Sequence, residues 1–395
     1  MLILFREKQI LCKKFMKMAQ LKPHLLYMKI LLHILLGFIN MLQDQPWGDM
    51  LLKFWDGGLK MELNIGYAQI LGIQNGGMAD FLKKKKGNNE CGIESSVNAG
   101  EYKPEDLTSV FSNGPYQVNI IEVASGSGGA PRQFKIYEPV GITEKVPVIH
   151  FLHGLQLKYN YYDDLLTQLS SHGFLVISSQ STHSLIGGDT TYKEAEKVIT
   201  FINWLKENLA SKVSVAPDWE NFGISGHSRG SKVTNRILNN YPEFAKSFFG
   251  LDPVDSAPPI GGSTDPPSLN DPVQFKGESM FLGTEKGPSG ISACAPSGEN
   301  SVHFYSSFPP TSHHIIAASV GHMDIIDSSD KSSCGLVCSA CEGSSDSSLK
   351  AKFISYSSGL MTAFFSSTLK GLTKYEAILN DSTNHPFSTT VVEFK

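Results

Sequence analysis

From about residue 110 onward the apolar positions fall into short runs with regular punctuation. "YQVNIIEV" and "RQFKIYEP" alternate well enough to predict the two strands of an opening antiparallel pair, joined by the glycine-rich turn "ASGSGGAP". The runs then change character. "VPVIHFL", "FLVISS", "FGIS", "SFFGL", "SMFL" and "HHIIAAS" are apolar without clean alternation, as strands of a parallel sheet covered on both faces must be. Helical periods separate them. "YYDDLLTQLSSHG" carries an apolar i, i+3, i+4 face and stops at Gly173, and "TYKEAEKVITFINWLKENLA" sets Ile199, Ile202 and Leu205 on one side. "GSKVTNRILNN" and "FISYSSGLMTAFFSSTL" supply two more helices. Strands alternating with helices predict the α/β class, a mostly parallel, doubly wound sheet with helices on both faces. The compact domain spans 109–372, and 373–395 reads as a loose C-terminal tail.

The first hundred residues follow a different pattern. Arg6, Lys8, Lys13, Lys14, Lys17 and Lys22 precede the apolar stretch "LLYMKILLHILLGFINML", and Asp44 and Asp49 follow it, a bias that keeps the N-terminal side cytosolic. Residues 1–45 are therefore expected to be a signal peptide with a basic leader or a signal anchor, with membrane association through the apolar segment. Lys29 and His33 interrupt that segment, so a buried or interfacial helix is the plainer alternative. Residues 46–108, with the lysine tract "LKKKKGNNE", show no period and read as a linker or poorly ordered segment. A plastid transit peptide would be basic, Ser-rich and poor in apolar runs, so the expectation is the secretory route, secreted or lumenal, rather than a plastid.

A formal charge of −4 over 395 residues, with no basic stripe in the later two thirds, argues against nucleic acid as a partner. Hydrophobic residues at 41% and charged ones at 18% fit a globular domain, and no repeat period stands out. Cys334, Cys338 and Cys341 cluster, with Cys294 some forty residues earlier and Cys12 and Cys91 outside the compact part. Their C-x3-C-x2-C spacing lacks the second half of a zinc site, so disulfides among Cys294, Cys334, Cys338 and Cys341 are expected in an oxidising compartment, with pairing undetermined.

The chemistry gathers around "ISGHSRGS" at 224–231. Gly226-His227-Ser228-Arg229-Gly230 fits G-x-S-x-G between an apolar strand and a helix, the context in which that pattern marks a nucleophile rather than a Gly/Ser loop. Such a serine stands at the C-terminal sheet edge, where open α/β sheets bind ligands, and the helix beginning at Arg229 turns amide N–H groups toward it. A base and an acid should follow in the order Ser, acid, His. His322 in "SVGHMD" lies just beyond a strand and is favoured as the base over His303, while His313 and His314 read as strand positions. Asp252 in "FFGLDPV" is the first residue past an apolar run, although Glu285 at the end of "SMFLGTE" could reach the same edge. Oxyanion donors are expected from the backbone N–H of Leu155 or Gln156 in "FLHGLQLKYNYY", together with Arg229. Tyr159, Tyr161 and Tyr162 would either line a cleft or pack.

In order, "PVIHFLHGLQLKYNYYDDLLTQLSSHGFLVISSQ", "FGISGHSRGSK", "FFGLDPV", "CAPSGEN" and "GHMDIID" resemble the chlorophyllase family of α/β-hydrolases, over about residues 110–372. The resemblance implies the α/β-hydrolase fold, a carboxylic ester hydrolase that splits phytol from chlorophyll, and Ser228, Asp252 and His322 as its triad. It favours Asp252 over Glu285. Ser231 stands where the family usually has glycine. No metal or organic cofactor is required. Related sheets also carry secreted platelet-activating-factor acetylhydrolases, so a lipid ester is the alternative substrate. An inactive hydrolase-fold binding protein is the competing class, and it would be expected to lack a triad member.

Overall fold

The structure, a computed structural model, describes residues 107–181, 189–256, 265–270, 273–290, 293–327 and 341–395, all within one compact unit. The expected signal segment, the lysine tract and Cys12, Cys91, Cys334 and Cys338 lie outside the described residues.

Among the described residues one sheet holds nine strands. In chain order they are β1 (Val118–Val123), β2 (Phe134–Pro139), β3 (Lys145–Leu152), β4 (Leu175–Ser179), β5 (Ala216–His227), β6 (Ser247–Leu251), β7 (Glu278–Thr284), β8 (Ser312–Ala317) and β9 (Thr389–Phe394). Their spatial order is β1-β2-β4-β3-β5-β6-β7-β8-β9. Strands β4, β3, β5, β6, β7 and β8 pair in parallel, and β1, β2 and β9 run antiparallel at the edges. Six helices connect or cover them: α1 (Asp163–Ser171), α2 (Thr191–Asn208), α3 (Arg229–Asn240), α4 (Ser301–Ser307), α5 (Ser347–Lys370) and α6 (Glu376–Asn380).

The uninterrupted apolar runs exist because both faces of the central strands are covered. Ile149 and Phe151 of β3, Phe249 of β6 and Met280 of β7 pack with Leu165 and Leu169 of α1 and Leu360, Phe364 and Phe365 of α5. Their strand neighbours Val148, Leu152, Phe248 and Phe281 face the other way, against Phe201 and Ile202 of α2, Val233 and Ile237 of α3 and Phe304 of α4. Period-2 alternation therefore persists in direction while both sides are apolar, and each fully buried Leu, Ile or Phe contributes about 1.5–3 kcal/mol.

The C-terminal residues correct the expected tail. Residues 376–380 form α6, whose Ile378 and Leu379 join the core, and residues 389–394 form β9 against β8. An edge strand of six residues with a half-exposed face carries only a weak apolar signal, which is why "TTVVEF" reads as loose chain.

Candidate active site

Strand β5 ends at His227 and α3 begins at Arg229, so Ser228 alone makes the turn. Its backbone sits at φ 55°, ψ −126°, a conformation that costs of the order of 1–3 kcal/mol and persists only when its surroundings impose it. Here they do. A Cβ on Gly230 would lie 2.3 Å from the Leu152 carbonyl oxygen, and one on Gly226 would lie 2.5 Å from the Gly230 carbonyl carbon. Only glycines let α3 approach β3 and β5 this closely. Ser231 is fully buried and donates its hydroxyl to the Gly226 carbonyl at 2.6 Å, bracing the same turn.

Gln156, Ser228, Asp252, Thr311 and Ser319 are the non-glycine residues with positive φ among those described. Three of them belong to the expected site.

Asp252 follows β6 and His322 follows β8, and His322 Nδ1 lies 2.7 Å from Asp252 Oδ2. Thr284, at the end of β7, donates its N–H to Asp252 Oδ1 at 2.9 Å and its hydroxyl to Oδ2 at 2.8 Å. The carboxylate is thus held from two sides. Glu285 turns elsewhere, accepting the Ser319 N–H at 2.6 Å. His303 lies on α4, and His313 and His314 lie within β8, as the strand pattern predicts. Ser228, Asp252 and His322 are 7%, 2% and 4% exposed, so solvent reaches the serine slightly more than its neighbours.

The loop bearing His322 is fixed by two further carboxylates. Asp324 accepts the Gly321 N–H at 2.9 Å and the Ser344 N–H at 2.6 Å, with Lys350 Nζ at 3.5 Å. Asp327 accepts the Asp163 N–H at 2.7 Å at the start of α1; burial first, then repulsion from Asp164, pushes its pKa up to about 7. A disulfide joins Cys294 to Cys341. Ala295, next to Cys294, donates its N–H to the Gly287 carbonyl just beyond Thr284, and Cys341 stands three residues before Ser344, so the bond links the surroundings of Asp252 to those of His322.

After β3, Leu157 N–H donates to the Gly154 carbonyl at 3.2 Å, closing a turn with Gln156 at φ 60°. His153 donates from Nδ1 to the same carbonyl at 2.8 Å and accepts the Ser181 N–H on Nε2, also at 2.8 Å. Burial lowers the His153 pKa to about 4, so the ring is neutral at pH 7. Tyr159, Tyr161 and Tyr162 are buried, and packing rather than cleft lining describes them. The Arg229 guanidinium donates to the Asp189 carbonyl at 2.8 Å. One turn along α3, Lys232 Nζ donates to the carbonyls of Ser256 at 3.1 Å and Asp265 at 3.0 Å, and burial lowers its pKa to about 8. A groove of about 720 Å³ lined by Asn119, Glu138, Lys212 and Ser214 lies at the opposite sheet edge, away from these groups.

The contacts of Thr284 and Asp324, and the hydrogen bonds of His227 and Tyr162, are not legible in the sequence. The position of Thr284 was within reach of sequence reasoning, since it ends a strand at the edge where the acid and the nucleophile were placed. The other three depend on contacts across long stretches of chain.

A mostly parallel sheet with a serine on a strained strand-to-helix turn and an Asp–His pair at the same edge defines an α/β-hydrolase. The chlorophyllase family profile matches residues 106–395, and the chain belongs to that family, a family of carboxylic ester hydrolases. It is 28% identical over 320 residues to chlorophyllase-2 of Arabidopsis thaliana, covering 76% of this chain and 98% of that protein. It is 28% identical to chlorophyllase-1 of the same plant over 65% of this chain and 82% of the relative. To "Chlorophyllase-1, chloroplastic" of Citrus unshiu it is 29% identical, covering 72% and 88%. Among the described residues no helix is long and apolar enough to cross a membrane.

Proposed function

We propose that the chain is a serine carboxylesterase of chlorophyllase type, which hydrolyses an apolar ester through an acyl-enzyme. The observation that carries the reading is the 2.7 Å bond between His322 Nδ1 and Asp252 Oδ2 at the sheet edge where β5 ends in Ser228. With Nδ1 committed to the carboxylate, Nε2 takes the proton of Ser228 as its Oγ attacks the ester carbonyl. The tetrahedral oxyanion is held by the backbone N–H of Leu155 or Gln156 and that of Arg229. His322 passes its proton to the leaving alcohol as the ester C–O bond breaks; water, deprotonated by the same ring, then releases the acid. Asp252 orients the imidazole and stabilises the imidazolium while remaining ionised.

The names of the relatives support chlorophyll, or an ester like it, as the substrate. The chloroplastic designation of the citrus relatives favours a plastid over the secretory route, and a fluorescent fusion of the full chain tests this. The catalytic reading is tested with purified protein. A fluorophosphonate should label Ser228, short p-nitrophenyl esters should be hydrolysed, and Ser228→Ala should abolish both. Absence of labelling and turnover in the unsubstituted protein would support an inactive binding protein instead. Phytol release from chlorophyll, run beside a phospholipid ester, separates the two substrate classes.

A further inference from the structure

His227, the residue before the nucleophile, is fully buried, and both of its ring nitrogens are engaged. Nδ1 lies 2.8 Å from the hydroxyl of the equally buried Tyr162, and Nε2 lies 3.1 Å from the carbonyl oxygen of His322. The Gly154 N–H donates to the same Tyr162 oxygen at 3.3 Å. The two backbone ends fix the direction of this chain. Gly154 N–H can only donate, so Tyr162 accepts it and has its own proton to give; the His322 carbonyl can only accept, so His227 carries its proton on Nε2. Nδ1 is then the acceptor for Tyr162. Every link is satisfied in one arrangement and in one tautomer.

From this geometry we infer that Tyr162 and His227 are positioning residues, forming a directed hydrogen-bond chain that sets the oxyanion loop and the His322 loop in register around Ser228. The chain runs from Gly154, one residue before the expected oxyanion donors, through the residue adjoining Ser228, to the backbone of His322 itself. Both backbone polar groups of Gly154 are thereby committed, its N–H to Tyr162 and its carbonyl to Leu157 and His153, which fixes the plane from which the Leu155 N–H issues. At the other end the His227 and His322 rings lie 4.6 Å apart between centroids and tilted by 34°, so the neutral ring also bounds the space in which the base can rotate. Burial, and next the neighbouring His322 ring, hold the His227 pKa well below the ordinary imidazole range, in keeping with the single tautomer.

The inference rests on the serine-esterase reading, and the experiment separates their failures. Kinetics on a p-nitrophenyl ester are measured per site titrated by fluorophosphonate, so that unfolded protein is not counted. Tyr162→Phe removes the shared hydroxyl, and kcat should fall by about 10- to 100-fold with KM little changed, as expected for misplacement of a reacting group by a fraction of an ångström. His227→Gln keeps a donor for the His322 carbonyl, and His227→Asn keeps an acceptor for Tyr162. Each should retain more activity than His227→Ala, and the acid limb of the pH–kcat profile should move back toward that of the unsubstituted enzyme in the Gln variant, which restores the contact to the base loop. Combining Tyr162→Phe with His227→Ala should cost little more than His227→Ala alone, because one chain cannot be broken twice. Additive losses, or an unchanged kcat in Tyr162→Phe, would overturn the inference while leaving the esterase intact. An unsubstituted protein that fails to turn over or label would instead remove the reading beneath it.

Discussion

The nucleophile turn and the loop carrying His322 solve the same problem by different means. Around Ser228 the constraint is mainly steric: two glycines allow α3 to press on β3 and β5, with the Leu152 carbonyl against Gly230, and the Ser231 hydroxyl braces the turn from within. Around His322 it is polar and long-range, with Asp252 seventy residues earlier, Asp324 bound to Ser344, Asp327 capping α1, and a disulfide across the ensemble. A serine that only has to be presented needs little beyond its own pentapeptide and the strand it presses on. In the proposed mechanism His322 must accept a proton and give it back, and its loop is supported from several separate parts of the chain.

The two modes should fail differently. The largest effect is expected on the polar side: Asp252→Asn preserves the shape but offers His322 the wrong partner, and kcat should fall by about 10⁴ with the fold and melting temperature nearly intact. Retained turnover would return Glu285 to consideration. On the steric side Gly230→Ala should destabilise by about 3 kcal/mol, because its methyl group meets a backbone carbonyl that cannot move aside. Chemical denaturation checks this, and a melting temperature like that of the unsubstituted protein would mean that α3 has room the structure does not display.

Cutting the strap comes next. Replacing Cys294 and Cys341 by serine should cost about 2–4 kcal/mol, with kcat falling more steeply with temperature than the far-ultraviolet signal of the sheet, since the bond acts on the surroundings of acid and base and not on the elbow. Equal losses in both signals would erase the distinction between the two regions. The smallest effect concerns pH. The folded protein retains the Asp327 proton between about pH 4 and 7, where the unfolded chain has lost it, so this group's contribution to stability declines as pH rises through that window. Asp327→Asn keeps an acceptor for α1 and should flatten the fall in melting temperature from pH 5 to pH 8.

This contrast also explains what could be read from the chain. The six parallel strands, the helices, the elbow, Asp252 and His322 each announce themselves within a window of about ten residues, through period, punctuation or position at a strand end. Between Asp252 and Glu285 the spacing alone did not decide; the family resemblance favoured Asp252, and in the structure it is Asp252 that bonds to His322 while Glu285 bonds to Ser319. Strand β9 escaped because half-exposed edges have little apolar pattern, and Asp324, Asp327 and the His227 partner of Tyr162 escaped because a buried polar residue is explained only by partners that lie far along the sequence. The Cys294–Cys341 pairing belongs to the same class: spacing suggested bonding but gave no pairing.

Lys232 gives the nucleophile helix one more property. A single ammonium group on the helix that starts at Arg229 donates to the carbonyls of both Ser256 and Asp265, so two separate points of the chain share one cationic clasp. Removing the ammonium group, as in Lys232→Met, would therefore take a donor from both carbonyls at once, and the two points would loosen together.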